Sequence, residues 1–165
     1  DPVEKKSFLL LLYLNESEIW NTRDLENLKI AVDYHIMRIA LRAGIVNLVD
    51  NALAYRLLQR KRIRQSEDYE VRKNVREACS LLSKYSSHSA FEIDTMLWNI
   101  GRSCCFYEHD PICNVKICHK RDRCSFIKAT NYMCPGKCIF DGACLGSRND
   151  GYRKLWETKV YTEYY

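Results

Sequence analysis

Eight of the nine cysteines of this 165-residue chain fall between Cys104 and Cys144, and only Cys79 stands outside that block. This asymmetry constrains the fold more than any other feature. A disulfide framework spreads along a small secreted chain and uses an even number of cysteines. One dense block beside a cysteine-poor half points instead to metal binding in a reducing, intracellular compartment. With only six Gly and three Pro, the chain has too few turn formers for a β protein built of short strands. The expected fold is therefore all-α. Residues 1–103 form a helical domain, and residues 104–165 form a Cys-rich loop with a C-terminal extension. No apolar run approaches the ~20 residues that a membrane-spanning helix needs. Phe8 to Leu14 reads as a short buried helix rather than a signal peptide.

The clearest helical signal ahead of the block runs from Ile30 to Arg42. Ile36, Ile39 and Ala40 recur at i, i+3, i+4, and Asp33 stands where an N-cap belongs. Gly44 is a C-cap candidate. Asp50 starts a second helix, from Asn51 to about Lys61, which ends in the basic cluster Arg60-Lys61-Arg62-Ile63-Arg64. That cluster suits a solvated C-terminus complementing the helix dipole, or a phosphate contact. A long helix follows from Ser66 to about Lys84, with Cys79 packed inside it. Ser89 caps another through Ile93, Leu97 and Ile100, ending at Gly101-Arg102. Residues 15–29 are polar and read as a connection. Leu155 to Tyr165 reads as a short strand or extended arm.

Within the block, Cys105, Cys113, Cys118 and Cys124 are separated by seven, four and five residues. Zinc sites use paired short knuckles. Uneven gaps suit the larger cage of an iron–sulfur cluster, with Zn²⁺ as the alternative. Cys134, Cys138 and Cys144 form a second group, for metal or a disulfide, which Cys104, Cys79 or His119 could complete. Lys116, Lys120, Arg121 and Arg123 lie among the ligands. They can read DNA phosphates from a metal-pinned loop, or offset the charge of a thiolate-bound cluster. The net charge of +5 is compatible with either.

Two stretches carry a family resemblance. Ile30-Ala31-Val32-Asp33-Tyr34-His35-Ile36-Met37-Arg38-Ile39 resembles the segment around the catalytic aspartate of endonuclease III-like DNA glycosylases, with Tyr34 where Thr is usual. Trp98-Asn99-Ile100-Gly101-Arg102-Ser103-Cys104-Cys105 resembles the helix end that leads into that family's [4Fe–4S] loop. The resemblance covers roughly residues 30–43 and 91–124. It implies a helical bundle of the helix-hairpin-helix type and a [4Fe–4S] cluster on Cys105, Cys113, Cys118 and Cys124. It also implies a base-excision glycosylase acting on damaged double-stranded DNA, with Asp33 as the catalytic carboxylate. In lyase members a lysine amine is the nucleophile. Lys6 before Ser7 is the matching position here, although the two hairpin glycines that precede it in the family are absent. That family's barrel has helices ahead of the position matching residue 1, so this chain is expected to be the C-terminal part of a domain. The rest of a parent chain would supply those helices. Two other readings stay open: a non-catalytic iron–sulfur module that binds nucleic acid, and a divergent N-glycosidase acting on RNA or nucleosides.

Overall fold

The computed structural model describes residues 3–24, 27–107, 111–113, 118, 124–130, 133–134 and 136–162. The protein is all-α, and among the described residues there are eight helices and no strands. The first five are α1 (Lys5–Glu16), α2 (Tyr34–Ala43), α3 (Asn51–Leu58), α4 (Gln65–Ser86) and α5 (Ala90–Gly101). Three short ones follow: α6 (Ser125–Thr130), α7 (Leu145–Arg148) and α8 (Asp150–Arg153). None is long and apolar enough to cross a membrane.

The core is built around α2. Every residue from His35 to Arg42 is buried, and α2 packs against α5, α4, α7 and α8. Ile36, Met37, Ala40 and Leu41 are fully enclosed. Asp33 caps the helix as its sequence position predicts, accepting from the Ile36 backbone N–H at 2.9 Å. Gly44 ends it in the left-handed region, at φ 77°. A Cβ at Gly44 would lie 2.3 Å from the Leu145 side chain. At the other crossing, a Cβ at Gly101 would come within 2.8 Å of His35 Cβ. The Gly101-Arg102 pair is thus explained by the close approach of α5 to α2.

Two expectations are corrected. The first helix is not buried: only Leu12 is buried along α1, and Leu10 and Tyr13 are more than half exposed. Its apolar residues lie too close together to form one stripe, so a single neighbour cannot cover them all. The second helix of the basic region stops at Leu58 rather than near Lys61. Arg60 takes a left-handed backbone, at φ 51°, and its guanidinium lies 3.7 Å from the centre of the Trp156 ring. That turn leads the chain to a single parallel bridge between Arg62 and Lys159. Arg64 pairs with Glu67 at 3.0 Å, within a capping box at the start of α4. The C-terminal segment is the extended arm, laid along α2.

One buried cation ties these parts together. Arg38 is wholly enclosed. Its Nε donates to Cys105 O at 2.8 Å, its Nη2 to Gly101 O at 2.8 Å, and its Nη1 to Glu157 at 2.9 Å. One side chain therefore joins α2, the end of α5, the first cysteines and the C-terminal arm. Removing it would leave a half-buried carboxylate and two buried carbonyls unpaired. Arg38→Leu is expected to lower the unfolding free energy by about 3–5 kcal/mol, read from urea denaturation followed by circular dichroism.

Candidate functional site

Two sites flank the contact between α2 and α5. The first is a cleft of about 440 Å³ at the N-terminal end of α2, lined by Lys5, Tyr13, Asp33, Asp94, Trp98 and other residues. Asp33 is there because a cap must sit at the start of a helix. Its neighbours Ile30, Ala31 and Val32 are buried, and so hold it against α5. Asp94 reaches the same cleft from α5, where its Oδ2 accepts from the Ala31 N–H at 2.8 Å. The sequence analysis did not single out Asp94. Its signal was a lone carboxylate on an apolar helix face, between Ile93 and Leu97. Burial raises its pKa to about 7, and the Asp33 charge acts in the same direction.

Lys5, rather than Lys6, forms the wall of this cleft. Burial lowers the pKa of the Lys5 amine, while the Asp33 carboxylate pulls the other way. Tyr34 and His35 follow Asp33 directly. Burial, then the Asp33 charge, raises the Tyr34 pKa. Burial holds the His35 pKa below its ordinary value. Its Nδ1 lies 3.0 Å from Arg38 Nη2, so the neutral ring can accept from that guanidinium. Around it stand Trp98, Phe106 and Tyr107, with ring centres about 6 Å away.

The second site is a small cavity of about 20 Å³ at the C-terminal end of α2. Five cysteines line it: Cys104, Cys105, Cys113, Cys138 and Cys144. The segment before α7 closes it, and Cys144 Sγ donates to Arg42 O at 3.5 Å. Gly146 comes close there because its missing side chain leaves room for the same carbonyl, which a Cβ would meet at 3.0 Å. The cavity therefore unites Cys105 and Cys113 of the expected quartet with three cysteines from outside it. Cys118 and Cys124 are buried but do not line the cavity. Cys134 is half-exposed and also lies outside its wall. Cys79 sits in the core of α4, as expected, with its pKa raised to about 12 by burial. Lys116, Lys120, Arg121, Arg123 and His119 lie outside the described residues.

Among the described residues, no three His, Cys, Asp or Glu side chains are gathered tightly enough to hold a single metal ion. What speaks for a metal centre is the donor set, five cysteines lining one cavity, which is the ligand type that iron–sulfur clusters take. Arg42 supports the fit. It is 2% exposed, its Nε donates to Leu155 O at 2.7 Å and its Nη1 to Cys105 Sγ at 3.2 Å, and among the described residues its Nη2 has no hydrogen-bond partner. A buried guanidinium is costly unless it faces negative charge. Thiolates on a metal centre would provide that charge, whereas neutral thiols do not. Burial alone opposes ionisation: it raises the pKa of Cys113 to about 11 and also raises that of Cys144. Cys104 runs the other way, lowered to about 7 by its hydrogen bond with the Cys138 side chain.

The raised pKa of Asp94 has a consequence for stability. Its folded pKa lies above the unfolded value, so between pH 4 and pH 7 the native state binds a proton that the unfolded chain has lost. The contribution of this group is present at low pH and is lost as pH rises through about 7. Asp94→Asn is expected to gain on the order of 2 kcal/mol over wild type at pH 8, and little at pH 4, by paired thermal melts. Set against known family models, curated proteins and solved structures, the chain shows no match.

Proposed function

We propose that this chain is the cluster-bearing part of a DNA N-glycosylase with lyase capacity, of the endonuclease III-like, helix-hairpin-helix type. The observation that carries the reading is the cleft in which Asp33, at the N-cap of α2, shares a wall with Lys5. A glycosylase needs a carboxylate near the sugar and, for strand cleavage, an amine with a depressed pKa. Both are present, and both belong to one concave site. The two sequence motifs that resemble the family meet in the fold, because Gly101 packs directly on His35.

In this mechanism the damaged nucleotide is extruded from the helix into the cleft. The Lys5 amine attacks C1′, and the N-glycosidic bond breaks with its electron pair leaving on the base. Asp33 stabilises the positive charge that develops at the sugar. The C1′–O4′ bond then breaks with its electron pair going to O4′, which takes up the proton that the amine nitrogen loses, and C1′ and the nitrogen are left as a Schiff base. Loss of a C2′ proton expels the 3′ phosphate and breaks the strand. The half-buried aromatic side chains Trp98 and Tyr107 offer faces on which an extruded base can stack.

The donor set of the cavity, five cysteines, supports a [4Fe–4S] cluster there. Cys105, Cys113, Cys138 and Cys144 would hold it, with Cys104 beside Cys138. When bound, it supplies a cross-link between the end of α5 and the segment that closes on α2. Arg42 orients Cys105 and faces the thiolate charge.

Three experiments test the reading. Borohydride is expected to trap a covalent complex with abasic duplex DNA. Trapping should be abolished in Lys5→Ala and kept in Lys6→Ala, and the converse result would return the nucleophile to Lys6. Asp33→Asn should slow base release by a hundredfold or more, on the order expected for loss of a charge-stabilising group. Protein purified anaerobically should contain iron and acid-labile sulfide. Cys138→Ser and Cys144→Ser should lose both, and Cys118→Ser should keep them. Zinc without iron would sink the cluster assignment.

A further inference from the structure

The basic run Arg60-Lys61-Arg62-Ile63-Arg64 lines neither the cleft nor the thiol cavity. We propose that this run, joined by Lys159 of the C-terminal arm, is a surface that binds the phosphate backbone of duplex DNA. The choice of DNA as the polyanion rests on the glycosylase reading; the surface itself does not, and that reading assigns none of these residues.

The fold displays these cations rather than neutralising them. Ile63 is buried, and Arg62 and Arg64 on either side of it are exposed, as extended backbone dictates. Ile63 N donates to Lys159 O at 2.9 Å, and the backbone there forms the parallel bridge between Arg62 and Lys159. Bridged segments lie about 4.8 Å apart, so two cations from distant parts of the chain are held side by side. Like charges opposite one another are destabilising, and an anion between them removes that cost. The ion pairs of this face are Arg60 with Glu157, at 4.0 Å, and Arg64 with Glu67, at 3.0 Å. Both carboxylates are also met by another cation, Glu157 by Arg38 at 2.9 Å and Glu67 by Arg56. Lys61, Arg62 and Lys159 have no carboxylate partner among the described residues. Arg60 is fixed by the Trp156 ring 3.7 Å away, and Lys61 stands 5.2 Å from the centre of the Tyr55 ring. A neutral ring holds a cation in place without cancelling its charge. The row is therefore both positive and preorganised, which lowers the ordering cost of binding.

The occupant follows from what stands between the cations. Guanidinium groups take phosphate oxygens in bidentate fashion, and a duplex presents one negative charge per about 1.7 Å of its axis. An anionic membrane is the competing polyanion, but surface binding there joins cations to an apolar face that enters the lipid. Here the apolar residues turn inward. Ile63 and Leu57 are buried, and the Trp156 ring carries the guanidiniums of Arg60 and Arg42. The exposed rings, Tyr55 and Tyr161, are separate phenols and make no apolar face.

The test is equilibrium binding of the whole chain to an undamaged, fluorescein-labelled DNA duplex, read by anisotropy over a range of salt. Wild type should bind with an affinity that falls as salt rises. Arg62→Ala combined with Lys159→Ala should lower the slope of log K against log salt by about 2, and weaken binding roughly tenfold or more at low salt. Both side chains are exposed and the bridge is made by backbone, so the fold is not at stake, and unchanged circular dichroism checks this. The control, Lys29→Ala combined with Lys84→Ala, removes the same charge elsewhere. Glu77, the partner of Lys29, and Lys84 stand about 20 and 30 Å along α4 from Arg64, beyond a Debye length. The control should stay within about twofold of wild type. Equal losses in the two double variants, or no loss in Arg62→Ala with Lys159→Ala, overturn the proposal. So does wild-type binding to phosphatidylserine vesicles with none to the duplex, or tighter binding to duplex RNA of the same sequence. If abasic DNA is trapped but the Arg62 and Lys159 variant binds the undamaged duplex like wild type, the glycosylase reading stands and this surface falls. If nothing is trapped and the salt-dependent loss is seen, the surface stands without that reading.

Discussion

The structure depends on a buried arginine that joins four different segments, its own helix included. Arg38 has no access to water, so its charge must be met inside the protein. Glu157 meets it from the C-terminal arm, and the carbonyls of Gly101 and Cys105 meet it from the end of α5. Helix ends leave carbonyls without intrahelical partners. Arg38 uses those of α5 and its following turn, so the same bonds satisfy a buried cation and finish a helix. Without this network the arm would have little reason to lie along α2. Thr158, which donates to Met37 Sδ at 3.1 Å and also pairs with Asp68, extends the same seam toward α4.

This seam sets the distance between the two sites. Asp33 and Arg42 stand at opposite ends of α2, one in the cleft and the other in the thiol cavity. The helix dipole is arranged in keeping with both. Its positive end faces the carboxylate, and its negative end receives the Arg42 cation. Gly101 fixes how closely α5 approaches, and therefore where Asp94 and Trp98 enter the cleft. The Cys104–Cys105 pair follows from the same helix end. A site built on two helices crossing through a glycine is held more firmly than one built on loops.

Much of this was legible in the sequence. The i, i+3, i+4 pattern after Asp33, the Ser89 cap and the apolar row through Ile93, Leu97 and Ile100 gave α2 and α5 nearly to the residue. These are local signals, carried by neighbouring residues. Burial of α1 was misread, because a run such as Phe8 to Leu12 shows hydrophobicity without showing a face. The end of α3 was set by Trp156, nearly a hundred residues away in sequence, and spacing cannot report that contact. Spacing grouped Cys105 with Cys113, Cys118 and Cys124. The fold folds Cys138 and Cys144 back onto α2 through the close approach of Gly146, which no gap count contains. Lys5 and Lys6 are likewise adjacent in sequence, and only the helix rotation decides which one faces Asp33.

The cavity and the cleft are joined by shared backbone rather than by shared side chains. Cys105 supplies a thiol to the cavity and a carbonyl to Arg38, and Arg38 holds the carbonyl of Gly101, against which His35 and the start of α2 are packed. Whatever fixes Cys105 therefore also steadies the end of α5, and with it Trp98, seven residues beyond Phe91 on the same helix. In this arrangement a metal centre need not touch substrate to matter. It would act as a covalent clasp on the closing segment, residues 138–147, whose Ile139 and Phe140 already pack against the core. The buried, half-satisfied Arg42 is the other side of that dependence. Its guanidinium donates to Leu155 O and Cys105 Sγ and lies over the Trp156 ring, and thiolates in front of it would add the negative charge that a buried cation calls for.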